Sequence, residues 1–164
     1  MLNIGKLILD GGLLSVLASA YILAVLYVNP RLMLQNYRED IQSRVPEKDE
    51  REKRITLLIG APFMLLVVLV PFLSTLSLKN QLGEPGFIAL FLHAFGVAFI
   101  FNLVDLFILD WLLFCLWTPR FIVVPGTEGM PAYKDPIYHL KKALNGTVIS
   151  IVAGLVIAFL VWLC

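Results

Sequence analysis

Apolar residues in this chain do not alternate with polar ones; they run. Four stretches, Gly11–Val28, Ile55–Leu78, Phe87–Trp117 and Ala143–Leu163, carry few polar side chains. A helix needs about 20 predominantly apolar residues to cross the ~30 Å hydrocarbon core, and each run approaches or exceeds that. This pattern predicts an all-α fold, an integral membrane four-helix bundle that makes residues 1–164 a single transmembrane domain. Residues 29–54 and 118–142 become its two long loops. Between the second and third spans lies only Lys79–Gly86, a turn rich in Gly and Pro, so neighbouring spans are expected to be antiparallel. Pro62 and Pro71 fall inside the second span. Each removes an N–H donor, freeing the carbonyls of Leu58 and Val67, and predicts a kink.

The ends of these runs carry their own signals. Asp10-Gly11-Gly12 interrupts the N-terminal apolar stretch, so the first span is expected to begin at Gly11. Ala18-Ser19-Ala20 has the form of a signal-peptide cleavage site, but apolar residues continue to Val28, which predicts a retained span. Asn29-Pro30 ends it, because proline disfavours helix in the residue before. After Pro46 comes EKDEREKR, in which Glu47–Arg51, Lys48–Glu52, Asp49–Lys53 and Glu50–Arg54 are opposite charges four apart. Such pairs support a helix that starts near Pro46 and enters the second span. Residues 118–135 predict a short extended piece, Phe121–Val124, followed by a turn cluster at 125–129. They read as a connection lying on the membrane face, with a partner or ligand surface as the other reading. Asp135-Pro136 has the form of a helix N-cap and first turn.

Charge orients the bundle. The net charge is only +1, with 59% hydrophobic residues and a mean hydropathy of +0.86. Arg31, Arg38, Arg44, Lys48, Arg51, Lys53 and Arg54 all lie in the first long loop or at its edge, and Arg120, Lys134, Lys141 and Lys142 in the second. Only Lys6 and Lys79 lie on the other side. The positive-inside rule then makes both long loops cytoplasmic and both termini external, in a plasma (inner) membrane. The lipid bilayer is the first expected partner. Nucleic acid is excluded, since no net basic, aromatic-bearing surface exists. Cys115 and Cys164 fall at opposite ends of their spans, too far apart for a disulfide. With two His residues they make neither a metal cluster nor a cofactor motif, and no cofactor is expected.

Two small-residue stripes stand out. Gly11, Ser15 and Ser19 recur every four residues in the first span. Gly146, Ser150, Gly154 and Ala158 do so in the fourth. Such stripes allow close helix approach. The second could pack within the chain, against another membrane protein, or against a second copy.

The candidate chemistry lies in the third span, which carries His93, Asn102, Asp105 and Asp110. A charged side chain at the bilayer centre costs about 2.5–3.5 kcal/mol even on the insertion scale and marks a functional site by default. Whether Trp111 or Trp117 marks the inner boundary, Asp105 falls roughly 5 Å from the midplane or nearer. Asp110 is deep under only one of these registers, and His93 is peripheral under both. In an unbroken α-helix Asn102 and Asp105 share a face, whereas Asp105 and Asp110 are roughly 140° apart. That phase predicts a core pair, Asn102 and Asp105, with Asp110 a conditional member of the ligand site, and excludes a carboxylate dyad within the span. The fragment Phe101–Asp105, FNLVD, locally resembles the FNxAD-type motif of bacterial lipoprotein signal peptidases, four-span aspartyl enzymes. The resemblance covers five residues. No second Asp stands in that family's context, and the span number and orientation differ, so no family is assigned on it.

Three functions follow as expectations: a ligand- or ion-binding or transport component built on Asn102, Asp105 and Asp110; an accessory subunit docked through a small-residue stripe; or a membrane enzyme acting on a lipid-soluble substrate. The last would draw on Asp105, Asp110, Arg120, Glu128 and His139, which show no nucleophile-and-base spacing.

Overall fold

A computed structural model of the chain describes residues 3–83 and 85–164. Among the described residues there is no strand, and four long helices account for most of the chain: α1 (Ile4–Val28), α2 (Glu50–Leu82), α3 (Phe87–Val104, continued by Asp105–Trp117) and α4 (Pro136–Leu163). All four are long and apolar enough to cross a membrane. The chain is thus an all-helical bundle of the multi-pass membrane type.

Helix α1 starts at Ile4, not at Gly11. The Asn3 side chain caps it by accepting from the Lys6 N–H. Asp10-Gly11-Gly12 does not break it, for two physical reasons. Asp10 is neutralised one turn earlier by Lys6, at 2.8 Å. Gly11 is a point of close approach to α3, since a Cβ there would lie 2.7 Å from Ile100 Cδ1. The glycine is a contact surface rather than a helix stop.

Helix α2 starts at Glu50, later than the Pro46 expectation. Asp49 and Glu52 form a reciprocal capping box that satisfies two orphan donors. Glu52 is thereby drawn away from a pair with Lys48 and instead binds Arg31 in a two-pronged contact of 2.8 and 2.9 Å. Of the charge run, Lys53–Glu50 forms a pair at three-residue spacing. The helix passes through Pro62 and Pro71 and runs to Leu82, into the expected turn. Gly83, with φ +81, ends it; Glu84 of that turn lies outside the described residues.

The two long connections fold against each other. Ile122 and Val124 are fully buried in one cluster with Leu26, Leu34, Tyr37, Ile41 and Tyr133. The Tyr37 hydroxyl donates to the Ile122 carbonyl at 2.7 Å, and burial raises its pKa, which keeps it a donor. Arg38 reaches Asp135 at 2.6 Å. So 118–135 is not extended at Phe121–Val124. Its apolar residues Phe121–Val124 turn inward through bonds from Ile122 N–H to Pro119 O and Val123 N–H to Arg120 O. The result is a packed cap over one end of the bundle.

Asp135 caps α4 as its sequence suggested, accepting from the Ile137 and Tyr138 N–H groups. The stripe on α4 faces α3 within the same chain. A Cβ on Gly154 would lie 3.0 Å from the Phe95 backbone, and one on Gly146 would overlap the Asn102 amide. Ser150 and Ala158 are buried alongside. Within the chain, this stripe is thus the surface on which α4 meets α3.

A polar cavity beneath the cap

The third span changes register halfway. From Asp105 to Trp117 its bonding is π-helical, with N–H groups reaching back to the fifth residue, as Thr118 N–H does to Leu113 O at 2.8 Å. Stretches of π-helix are rare and concentrate at functional sites. The change overturns the phase argument made from the sequence. In an α-helix residues five apart diverge by roughly 140°. In a π-helix the residue five positions on is the hydrogen-bonding neighbour along the axis, so it stacks on nearly the same face. Asp105 and Asp110 are five apart. Both border one cavity of about 430 Å³, together with Asn102, His139 and Lys142.

Each polar residue of the cavity is held differently. Asn102 donates to the Ala143 carbonyl and to Thr147 Oγ1, both at 3.0 Å. Its amide is tied to α4 and made possible there by Gly146. Asp110 Oδ1 lies 2.9 Å from His139 Nδ1, with both side chains buried. The ring N–H is not aimed squarely along that line, so the contact is a close polar pair rather than an aligned hydrogen bond. Asp105 is partly buried and borders the cavity. Among the described residues no cation stands within ion-pair distance of it.

The cavity has a polar end and an apolar body. Met33, Asn36 and Tyr37 of the cap close it at one end. The body runs along Phe63, Val67, Ala98 and Ala153. Three further lining residues, Met64, Val68 and Ile149, are 58%, 46% and 66% exposed. They sit on α2 and α4, so the cavity opens sideways between those helices, onto the surface that lipid would cover.

His93 stands elsewhere, outside the cavity. It is fully buried, and its Nε2 lies 2.7 Å from Ser74 Oγ. That environment comes from α1 and α2, whose register against α3 is invisible in a single span's sequence. His139 and Lys142 belong to the cavity because α4 begins at Pro136, capped by Asp135, and carries them about one turn and two turns in. The remaining enzyme candidates, Arg120 and Glu128, do not line it. Among the described residues no group of three His, Cys, Asp or Glu side chains could hold a metal ion.

No family model matches this chain, and no curated protein or solved structure is detectably similar to it.

Proposed function

We propose that the chain is a membrane-embedded binding protein for a lipid-soluble amphiphile whose head group carries a cation or a strong hydrogen-bond donor. The observation that carries this is Asp105, a carboxylate bordering the cavity with no cation within ion-pair distance among the described residues. Lone carboxylates at membrane depth are costly, so a partner that arrives with the ligand accounts for its presence. The cavity volume lies within the ordinary 300–1,000 Å³ of small-molecule sites, and such sites pair apolar walls with a few polar groups. The lateral opening between α2 and α4 suits a ligand that partitions into lipid first. Transport or accessory roles would build on the same binding step.

The proposal includes an orientation. The segregation of Lys and Arg supports long loops in the cytoplasm and external termini at the plasma membrane. Contacts that run from Phe87–Trp162 at one end to Asp110–His139 at the other support antiparallel packing of α3 and α4. The cavity then opens from the cytoplasmic half of the bilayer.

The test is thermal unfolding of the purified protein in nanodiscs with long-chain primary amine, alcohol or carboxylate of one chain length. The amine is expected to raise the Tm of the wild type most and the carboxylate not at all. Asp105→Asn is expected to abolish the difference. Equal shifts for all three head groups, or an amine shift unchanged in the variant, would overturn the reading. The Asp110–His139 pair favours one alternative, an enzyme acting on a lipid-soluble substrate with this pair moving a proton. That reading expects lipid consumption by the purified protein and its loss in His139→Gln.

A further inference from the structure

A second buried polar cluster lies in the half of the bundle away from the cap, and nothing in the cavity reading uses it. Four side chains from three helices form one chain. Lys6 Nζ donates to Asp10 Oδ2 at 2.8 Å, Ser74 Oγ donates to the same oxygen at 2.5 Å, and His93 Nε2 lies 2.7 Å from Ser74 Oγ. Access falls from the α1 pair inward to α2 and α3. The side chains of Lys6 and Asp10 are 16% and 24% exposed, whereas Ser74 is 6% and His93 0% exposed. His93 Nδ1 is buried and has no hydrogen-bond partner among the described residues.

Counting hydrogens fixes the direction of these bonds. Asp10, as a carboxylate, only accepts. Ser74 has one hydrogen, and it is given to Asp10. The Ser74 oxygen must then accept from His93, which makes the neutral ring the Nε2–H tautomer and leaves Nδ1 as the lone pair. Nδ1 is thus the one basic atom of the cluster that is neither protonated nor bonded. The arrangement is not that of a serine hydrolase. The carboxylate holds the serine rather than the imidazole, so nothing positions the ring as a base for Ser74.

We infer that His93 is a proton-binding site, reached from the N-terminal face of the bundle past Lys6 and Asp10. Protonation adds one hydrogen at Nδ1 and breaks no bond. The Nε2–H to Ser74 to Asp10 chain stays in place and sets the new imidazolium two hydrogen bonds from a carboxylate. The other groups around it are few. From α1 they are Lys6 and Asp10, opposite in sign. From α2 it is Ser74; Lys79 is engaged with the carbonyls of Val161 and Trp162. From α4 the residues packed around Leu90 and Ala94 on the same helix are Ile157, Ala158 and Val161, all apolar. Among the described residues Asp10 is therefore the only nearby anion, and a proton at His93 makes two cations share it. Lys6, the more accessible of them, is the one loosened.

The chain holds two His residues, so the site can be read directly. The experiment is nitrogen NMR of ¹⁵N-histidine-labelled protein in nanodiscs, from pH 8 to pH 4.5, with the His93 signals identified by their loss in His93→Gln. The expected result is a neutral Nε2–H ring at pH 8 that becomes doubly protonated within the range. Asp10→Asn removes the anion that faces the site while keeping the polar shape. It is expected to lower the midpoint by about one pH unit, a tenfold loss of proton affinity. A wild-type ring that stays neutral to pH 4.5, or an Nδ1–H tautomer at pH 8, would overturn the inference without any variant. A midpoint unmoved by Asp10→Asn would overturn it as well. None of these outcomes depends on whether the cavity binds an amphiphile.

Discussion

Replacing Gly154 by Ala tests the contact at which a glycine of α4 meets the backbone of α3. The new Cβ would stand 3.0 Å from the N, Cα and Cβ atoms of Phe95, where ordinary contact lies between 3.4 and 4 Å. Two of those three atoms are backbone, so no rotamer change relieves the overlap. Helices α3 and α4 must part by about half an ångström, and a gap of that size forfeits roughly a quarter of the dispersion energy across the affected surface. Overpacking of this kind costs about 1–3 kcal/mol. Alanine also restores helix propensity lost at glycine, about 1 kcal/mol in the other direction. Gly60→Ala supplies the control, since nothing lies within 4 Å of a Cβ there. The propensity gain cancels between the two variants, so their difference isolates the overpacking, about 1–3 kcal/mol. Gly96→Ala should fall between them, because the atom it meets is the mobile tip of Leu7. The assay is reversible unfolding in mixed micelles, followed by circular dichroism. If Gly154→Ala proves as stable as Gly60→Ala, the close approach of α3 and α4 is wrong, and so is the placement of the cavity that hangs on it.

The other expectations concern the cavity and the cap. His139→Ala leaves the Asp110 carboxylate buried without its partner and should cost about 3 kcal/mol in the same unfolding assay, whereas replacing both residues by Leu should recover most of the loss. Tyr37→Phe strands the Ile122 carbonyl inside the cap and should cost about 1–3 kcal/mol. Arg31 and the cap of α2 hold the Glu52 carboxyl at about 2, below its ordinary 4.5. A carboxyl whose folded value is depressed contributes stability above its unfolded value and loses it as pH falls through the folded one. Wild-type stability should thus fall between pH 4.5 and 2 by more than that of Glu52→Gln, and parallel curves would discredit the Arg31–Glu52 contact.

The four long helices were legible because membrane-length apolar runs admit few other structures. The Asp135 cap was legible because it is a local arrangement of three residues. What escaped was whatever depends on a neighbouring element. Asp10-Gly11-Gly12 looks like an interruption until Lys6 and Ile100 are seen around it. The apolar residues of Phe121–Val124 look ready for lipid until the partner loop supplies Tyr37 and Ile41. The candidate site was half legible. Asn102 and Asp105 fall together on an α-helix, but aligning Asp110 with Asp105 required a π register, and helical phase computed at a constant ~100° per residue cannot contain one. His139 carried no sign of its role beyond lying near a helix start.

The π-helical stretch also turns chain length into a variable of the site. Five residues on a π-helix do what four do on an α-helix. Removing one residue from Leu106–Leu109 would place the two aspartates four apart, the spacing at which an α-helix keeps side chains on one face. Such a shortened chain can trade the rare helix for the common one and still aim both carboxylates into the same space, whereas substituting any of those four residues leaves the count, and the need for the rarer register, untouched. Tolerance of a deletion where helices ordinarily tolerate none would then be a property written into this segment.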